Sequence, residues 1–149
     1  MHGKCAKCNA TCCRYFCLEI DKPETYEDFE NIRWYLLHEG ASVHVEDDGD
    51  WCLLIENACK ALVQTPTGPR CADYENRPLI CRKFSPAHCE GNVPGDYDYQ
   101  ELFRTPEQIE AYARKTLGES AFGRARARAN RKAEAKAGKP KRKGKAARK

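Results

Sequence analysis

The chain has 149 residues, one domain's worth, with 41% apolar residues, 10 cysteines and a formal charge of +4. No run is long and apolar enough to span a membrane, and the start, Met1-His2-Gly3-Lys4-Cys5, carries no apolar signal region. These features point to a cytoplasmic protein and away from a membrane partner.

Large apolar residues are few, so the core is thin and needs a staple of disulfides or metal. A cytosolic chain keeps its thiols reduced, which favours metal ligation. Adjacent cysteines such as Cys12 and Cys13 also fit poorly into one disulfide, because neighbouring Cβ vectors point apart. The charge is divided along the chain. Of 26 basic residues, 13 lie at or after Arg124, together with one of the 22 acids, Glu134; residues 1–123 therefore carry −8 and residues 124–149 carry +12.

Residues 4–17 read as a loop or short turns, with Cys5, Cys8, Cys12, Cys13 and Cys17 spaced C-x2-C-x3-C-C-x3-C. A two-residue gap lets two thiolates chelate one ion from a tight turn. Cys17 lies in the apolar run Tyr15-Phe16-Cys17-Leu18 and is expected in the core rather than on a metal. Residues 24–38 read as a helix: Pro23 precedes it, Glu24, Glu27 and Asp28 suit its positive end, and Gly40 follows. Tyr26, Phe29, Ile32 and Leu36 give it an apolar stripe.

Residues 42–56 read as a β-hairpin around Asp47-Asp48-Gly49-Asp50. His44 and Cys52 lie on its strands and are read as partly buried side chains before they are read as ligands. A short strand is expected from Cys59 to Gln64, then a turn-rich loop over residues 65–70.

The segment Cys71-Ala72-Asp73-Tyr74-Glu75-Asn76-Arg77-Pro78-Leu79-Ile80-Cys81-Arg82-Lys83-Phe84 carries most information. Pro78 starts a helical turn that holds Cys81. Arg77 and Arg82 can offset thiolate charge, or stand as plain surface arginines. His88 and Cys89 follow at a further spacing and could complete a site. Residues 105–117 read as a second helix, with Thr105 as cap, Pro106 at the first position and Gln108 closing a capping box. From Gly123 the chain is Arg, Lys, Ala and Gly, and it reads as disordered. A basic tail over residues 124–149 suits nonspecific nucleic-acid binding through phosphates, or a solubilising extension.

The two cysteine-rich segments resemble the YkgJ-type cysteine-cluster family, the CxxCxxCC zinc- or iron-chelating domain. Cys5, Cys8, Cys12 and Cys13 match its first motif and Cys59 its central cysteine. Cys71, Tyr74, Arg77, Pro78, Cys81, Arg82 and Phe84 match its last, so the resemblance covers residues 4–90. Two positions depart from the family pattern. The gap from Cys8 to Cys12 is one residue longer, and Asp73 stands where an aliphatic residue is usual. The resemblance implies chelation of zinc or iron, the latter also as an iron–sulfur cluster, and brings no assigned enzymatic activity.

The resulting expectation is an α+β fold. Residues 1–120 form a small, irregular, metal-stapled cysteine-cluster domain with two helices and a β-hairpin, and residues 121–149 form a disordered Lys/Arg/Ala-rich tail. The metal ligands are Cys5, Cys8, Cys12, Cys13, Cys59, Cys71 and Cys81, more thiolates than one tetrahedral zinc takes. The rival readings are an iron–sulfur redox or electron-transfer protein, and a zinc-stapled accessory protein that binds nucleic acid through its tail. The sequence sets neither an enzymatic role nor an oligomeric state.

Overall fold

The computed structural model describes residues 9–83 and 99–137. Its centre is a four-stranded antiparallel sheet in the order β1-β3-β2-β6, with β1 at Tyr15–Ile20, β2 at Ala41–Val45, β3 at Trp51–Glu56 and β6 at Glu101–Phe103. Three helices, α1 (Tyr26–Tyr35), α3 (Pro106–Leu117) and α4 (Glu119–Ala137), supply the other side of the core. A separate two-stranded sheet, β4 (Leu62–Thr65) with β5 (Gly68–Cys71), leads into the short helix α2 (Leu79–Lys83).

Strand alternation decides which side chains meet the helices, because successive residues point to opposite faces. Val43, Val45, Trp51, Leu53 and Phe103 are buried against Phe29, Ile32, Leu36, Ile109, Ala113 and Phe122. Trp51 stacks on Phe103 at 5.7 Å, and Tyr112 meets both rings edge-on. The intervening residues, Cys17, His44, Cys52 and Leu54, therefore belong to the opposite face of the sheet.

The helices begin where their caps dictate. Thr25 and Asp28 form a reciprocal capping box at α1, and Thr105 and Gln108 form another at α3. Gly118, with a φ of +81°, ends α3 and lets the chain turn directly into α4. Gly40, at a φ of +74°, makes the entry to β2, and its carbonyl accepts from the Glu56 amide at 2.8 Å.

Four expectations are corrected. The stretch read as loop to residue 17 becomes strand β1 from Tyr15, because it pairs along its whole length with β3. The loop expected over residues 65–70 becomes a tight turn and strand β5, with Gly68 at a φ of +108° in the turn. The expectation of two helices understates the helical content, which is four helices among the described residues.

The chain from residue 121, expected to be disordered, is helical as far as Ala137. Arg, Lys and Ala are strong helix formers, and Phe122, only 2% exposed, fastens the helix to the core. Its ring meets Tyr26 edge-on at 5.1 Å and lies 4.4 Å beneath the Arg114 guanidinium. Residues 138–149 lie outside the described residues.

Candidate metal centre

The cysteine-rich end is assembled from three segments. Ala10, in the left-handed region at a φ of +62°, starts a single 3-10 turn over Thr11–Cys13. The Cys13 carbonyl accepts the amide of Cys59 at 2.7 Å, which brings the second segment onto the first. The β4–β5 pairing sets Cys71 opposite Leu62, and the Ala72 amide donates to the Ala61 carbonyl at 2.7 Å.

The third segment is held by its arginines. The Arg77 guanidinium lies 3.6 Å over the Tyr74 ring, and its Nε donates to the Tyr74 carbonyl at 2.9 Å. Arg82 donates to the carbonyls of Arg77 at 2.8 Å and Glu75 at 2.9 Å. Asp73 accepts from the Asn76 amide at 2.9 Å, so this carboxylate, unusual for the motif, closes a local turn. Arg77, Pro78 and Arg82 thus fix the turn that delivers Cys81 on α2. These hydrogen bonds run to backbone carbonyls, a positioning role that differs from direct pairing with thiolates.

The thiols of these segments act on one another. Burial is the main cause that pushes the Cys13 thiol up from its ordinary value; a hydrogen bond with Cys12 opposes this, and Cys59, Cys71 and Cys81 add to the rise by charge repulsion. Among the described residues, no three of these five thiols have their sulfurs all within 4.8 Å of one another, so the structure brings their segments together without closing a ligand set. Cys12, Cys59 and Cys81 are exposed and Cys13 and Cys71 half-buried, so the thiols are reachable from solvent. The donor set, sulfur only, fits zinc or iron. Cys5, Cys8, His88 and Cys89 lie outside the described residues.

A second group lies on the sheet face away from the helices. Ligand atoms of Cys17, His44 and Cys52 all fall within 4.8 Å of one another, a spacing able to hold a metal ion. His44 is directly opposite Cys52 across β2 and β3. Cys17 on β1 is opposite Leu54, one diagonal step from Cys52. Burial first, then the neighbouring Cys17 and Glu46, push the Cys52 thiol up to about 12.

The expectation that Cys17 is a core residue is therefore corrected: it is exposed, on an edge strand, beside two other ligand types. Sequence reasoning passed over this group because its members are 27 and 8 residues apart and form no motif. The turn does not reveal it either: pairing the strands symmetrically about Asp47–Asp50 sets His44 against Leu53, whereas the observed register, centred on Asp48, sets it against Cys52, and Cys17 joins only through the β1–β3 pairing.

Cysteines on segments brought together from distant parts of the chain, and a cysteine–histidine group on the sheet, define the class as a cysteine-cluster, metal-binding domain of mixed helix and sheet. The family comparison is specific. Residues 4–116 match the model of the CxxCxxCC family, described as a "Putative zinc- or iron-chelating domain", and the chain belongs to that family. The match runs beyond the cysteine motifs to take in β6 and nearly all of α3. No curated protein and no solved structure matches the chain.

Proposed function

We propose that this chain is a small metal-binding protein that chelates zinc or iron through the thiolates of Cys5, Cys8, Cys12, Cys13, Cys59, Cys71 and Cys81. The observation that supports the reading is the family match over residues 4–116, together with the backbone contacts that bring the Cys59 and Cys71 segments to the Cys13 turn. Seven thiolates suit two zinc ions or one iron–sulfur cluster with structural cysteines beside it. Because metal binding to thiolates is folding free energy, the metal stabilises this end of the chain, where the protein core is thin. A reduced, cytosolic setting keeps these thiols free.

The test is elemental analysis with an absorption spectrum on protein purified without oxygen, on the natural sequence and on Cys71→Ser and Cys81→Ser. Bound zinc or iron that is lost in both variants supports the assignment. Iron with acid-labile sulfide and a visible chromophore selects the cluster form, and retained metal in both variants overturns the site.

A second reading concerns α4. Arg124, Arg126, Arg128, Arg131, Lys132 and Lys136 are all exposed on one continuous helix. A rod of positive charge of this kind suits phosphate backbones without base reading. The expected outcome is nucleic-acid binding that weakens steeply with salt and disappears when residues 124–149 are removed.

A further inference from the structure

We infer that Cys17, His44 and Cys52, with Glu46 as the fourth donor, form a second metal site for a single zinc ion, separate from the family's thiol cluster. The site is built by strand register. His44 and Cys52 face each other across β2 and β3, and Cys17 reaches them diagonally from edge strand β1. All three lie on the face that the helices leave uncovered, and their ligand atoms are within 4.8 Å of one another.

The residue types are not explained by packing. His44 is 4% exposed, yet its Nδ1 has no hydrogen-bond partner among the described residues. A buried imidazole nitrogen left unpaired costs about 1–3 kcal/mol, so an apolar side chain there would be more stable unless the ring has other work. A Glu46 carboxylate oxygen lies 3.5 Å from His44 Nε2 and 3.7 Å from Cys52 Sγ. It approaches the histidine and the buried thiol but lies outside the group of three, so its half-exposed side chain must turn toward Cys17 to serve as the fourth ligand. The Tyr99 ring lies 4.2 Å from the His44 ring and shields it, while exposed Cys17 leaves a way in from solvent.

Two sulfurs, one nitrogen and one carboxylate oxygen are a zinc donor set. Zn–S bonds of about 2.3 Å and Zn–N bonds of about 2.0 Å place tetrahedral ligand atoms ~3.5–3.8 Å apart. A pair of ligand atoms at the 4.8 Å limit therefore needs to close by about 1.0–1.3 Å, a shift within reach of side-chain rotation. On loading, the two thiols each release a proton to solvent and no redox change occurs. A disulfide is the obvious rival. It is disfavoured because diagonal neighbours on antiparallel strands sit about 7–8 Å apart, beyond the ~4.4–6.8 Å Cα separation a disulfide spans.

The consequence is mechanical. The ion ties edge strand β1 to β3 and β2, and β1 leads directly from the turn that carries Cys12 and Cys13. The second site therefore holds the platform on which the thiol cluster sits.

The test uses the full chain, stripped of metal and reloaded anaerobically with zinc, then with cadmium for cadmium-113 NMR. The variants are Cys17→Ser, His44→Gln and, for the cluster, Cys71→Ser. Cys17 is exposed, so its replacement leaves folding intact, which circular dichroism checks. The expected result is one zinc equivalent fewer in Cys17→Ser and His44→Gln. A resonance from a two-sulfur site should vanish with it and persist in Cys71→Ser.

An unchanged zinc count in both Cys17→Ser and His44→Gln overturns the second site, as does a Cys17–Cys52 disulfide in anaerobically purified protein. Failure of the cluster reading appears separately, as a Cys71→Ser variant that loses no metal.

Discussion

Replacing Phe122 with alanine tests why the basic segment is ordered. Phe122 is 2% exposed and is the buried residue of α4. Its partners are Tyr26, edge-on at 5.1 Å, and the Arg114 guanidinium at 4.4 Å. Beyond it α4 is held by Arg126 to Glu110 at 3.4 Å and Lys132 to Glu27 at 4.0 Å. Lys132–Glu27 is solvent-exposed and Arg126–Glu110 half-exposed, and surface pairs of this kind contribute about 0–1 kcal/mol each. Truncating a buried phenylalanine costs about 3–5 kcal/mol.

The loss therefore falls on docking of α4, and not on the sheet core, whose own residues stay in place. At tenfold per ~1.4 kcal/mol, the undocked population should rise by at least a hundredfold. The assay is limited trypsin digestion in native buffer, which samples the bonds after Arg124, Arg126, Arg128 and Arg131. Cleavage in Phe122→Ala should accelerate by about two orders of magnitude or more, with hydrogen-exchange protection lost over residues 119–137 and retained in β2 and β3. An unchanged cleavage rate would show that α4 is held by something other than this ring.

Two further outcomes follow from local structure. Thr25→Ala removes the acceptor for the Asp28 amide and breaks the α1 capping box; it should lower stability by about 1 kcal/mol, read as a shifted denaturation midpoint at constant slope. Acid should loosen the α3–α4 junction. Hydrogen bonding from Arg114, with help from the charges of Arg114, Arg126 and Arg33, holds the Glu110 carboxyl below its ordinary value of 4.5, against partial burial. Its folded-state value is the lower one, so the stabilisation is complete above the unfolded value and is lost as pH falls through the folded one. Glu110→Gln should therefore lower stability near neutrality, where the carboxylate is charged and paired, and flatten the acid limb below about pH 4.5, where the two proteins converge.

The sequence by itself determined what local chemistry can determine. Thr105, Pro106 and Gln108 define the start of α3 without help from the rest of the chain, and Gly118 defines its end. The residues around Asp47–Asp50 set β2 against β3, and the Cys71–Phe84 motif marked a metal-binding family.

What the tertiary structure decided is what depends on partners far along the chain. The Tyr15–Ile20 run carries little alternation, because it lies at the sheet edge where four of its six residues are exposed, and it becomes a strand only by pairing with β3. The basic segment reads as disordered on charge alone, and one aromatic ring at its beginning reverses that by finding a slot between Tyr26 and Arg114. Cys17 looks like core in its apolar neighbourhood, yet register places it beside His44 and Cys52. A strand's side-chain period is two, so one pairing choice sends every residue of β1 to a definite face. That choice is a long-range contact, formed when the sheet assembles.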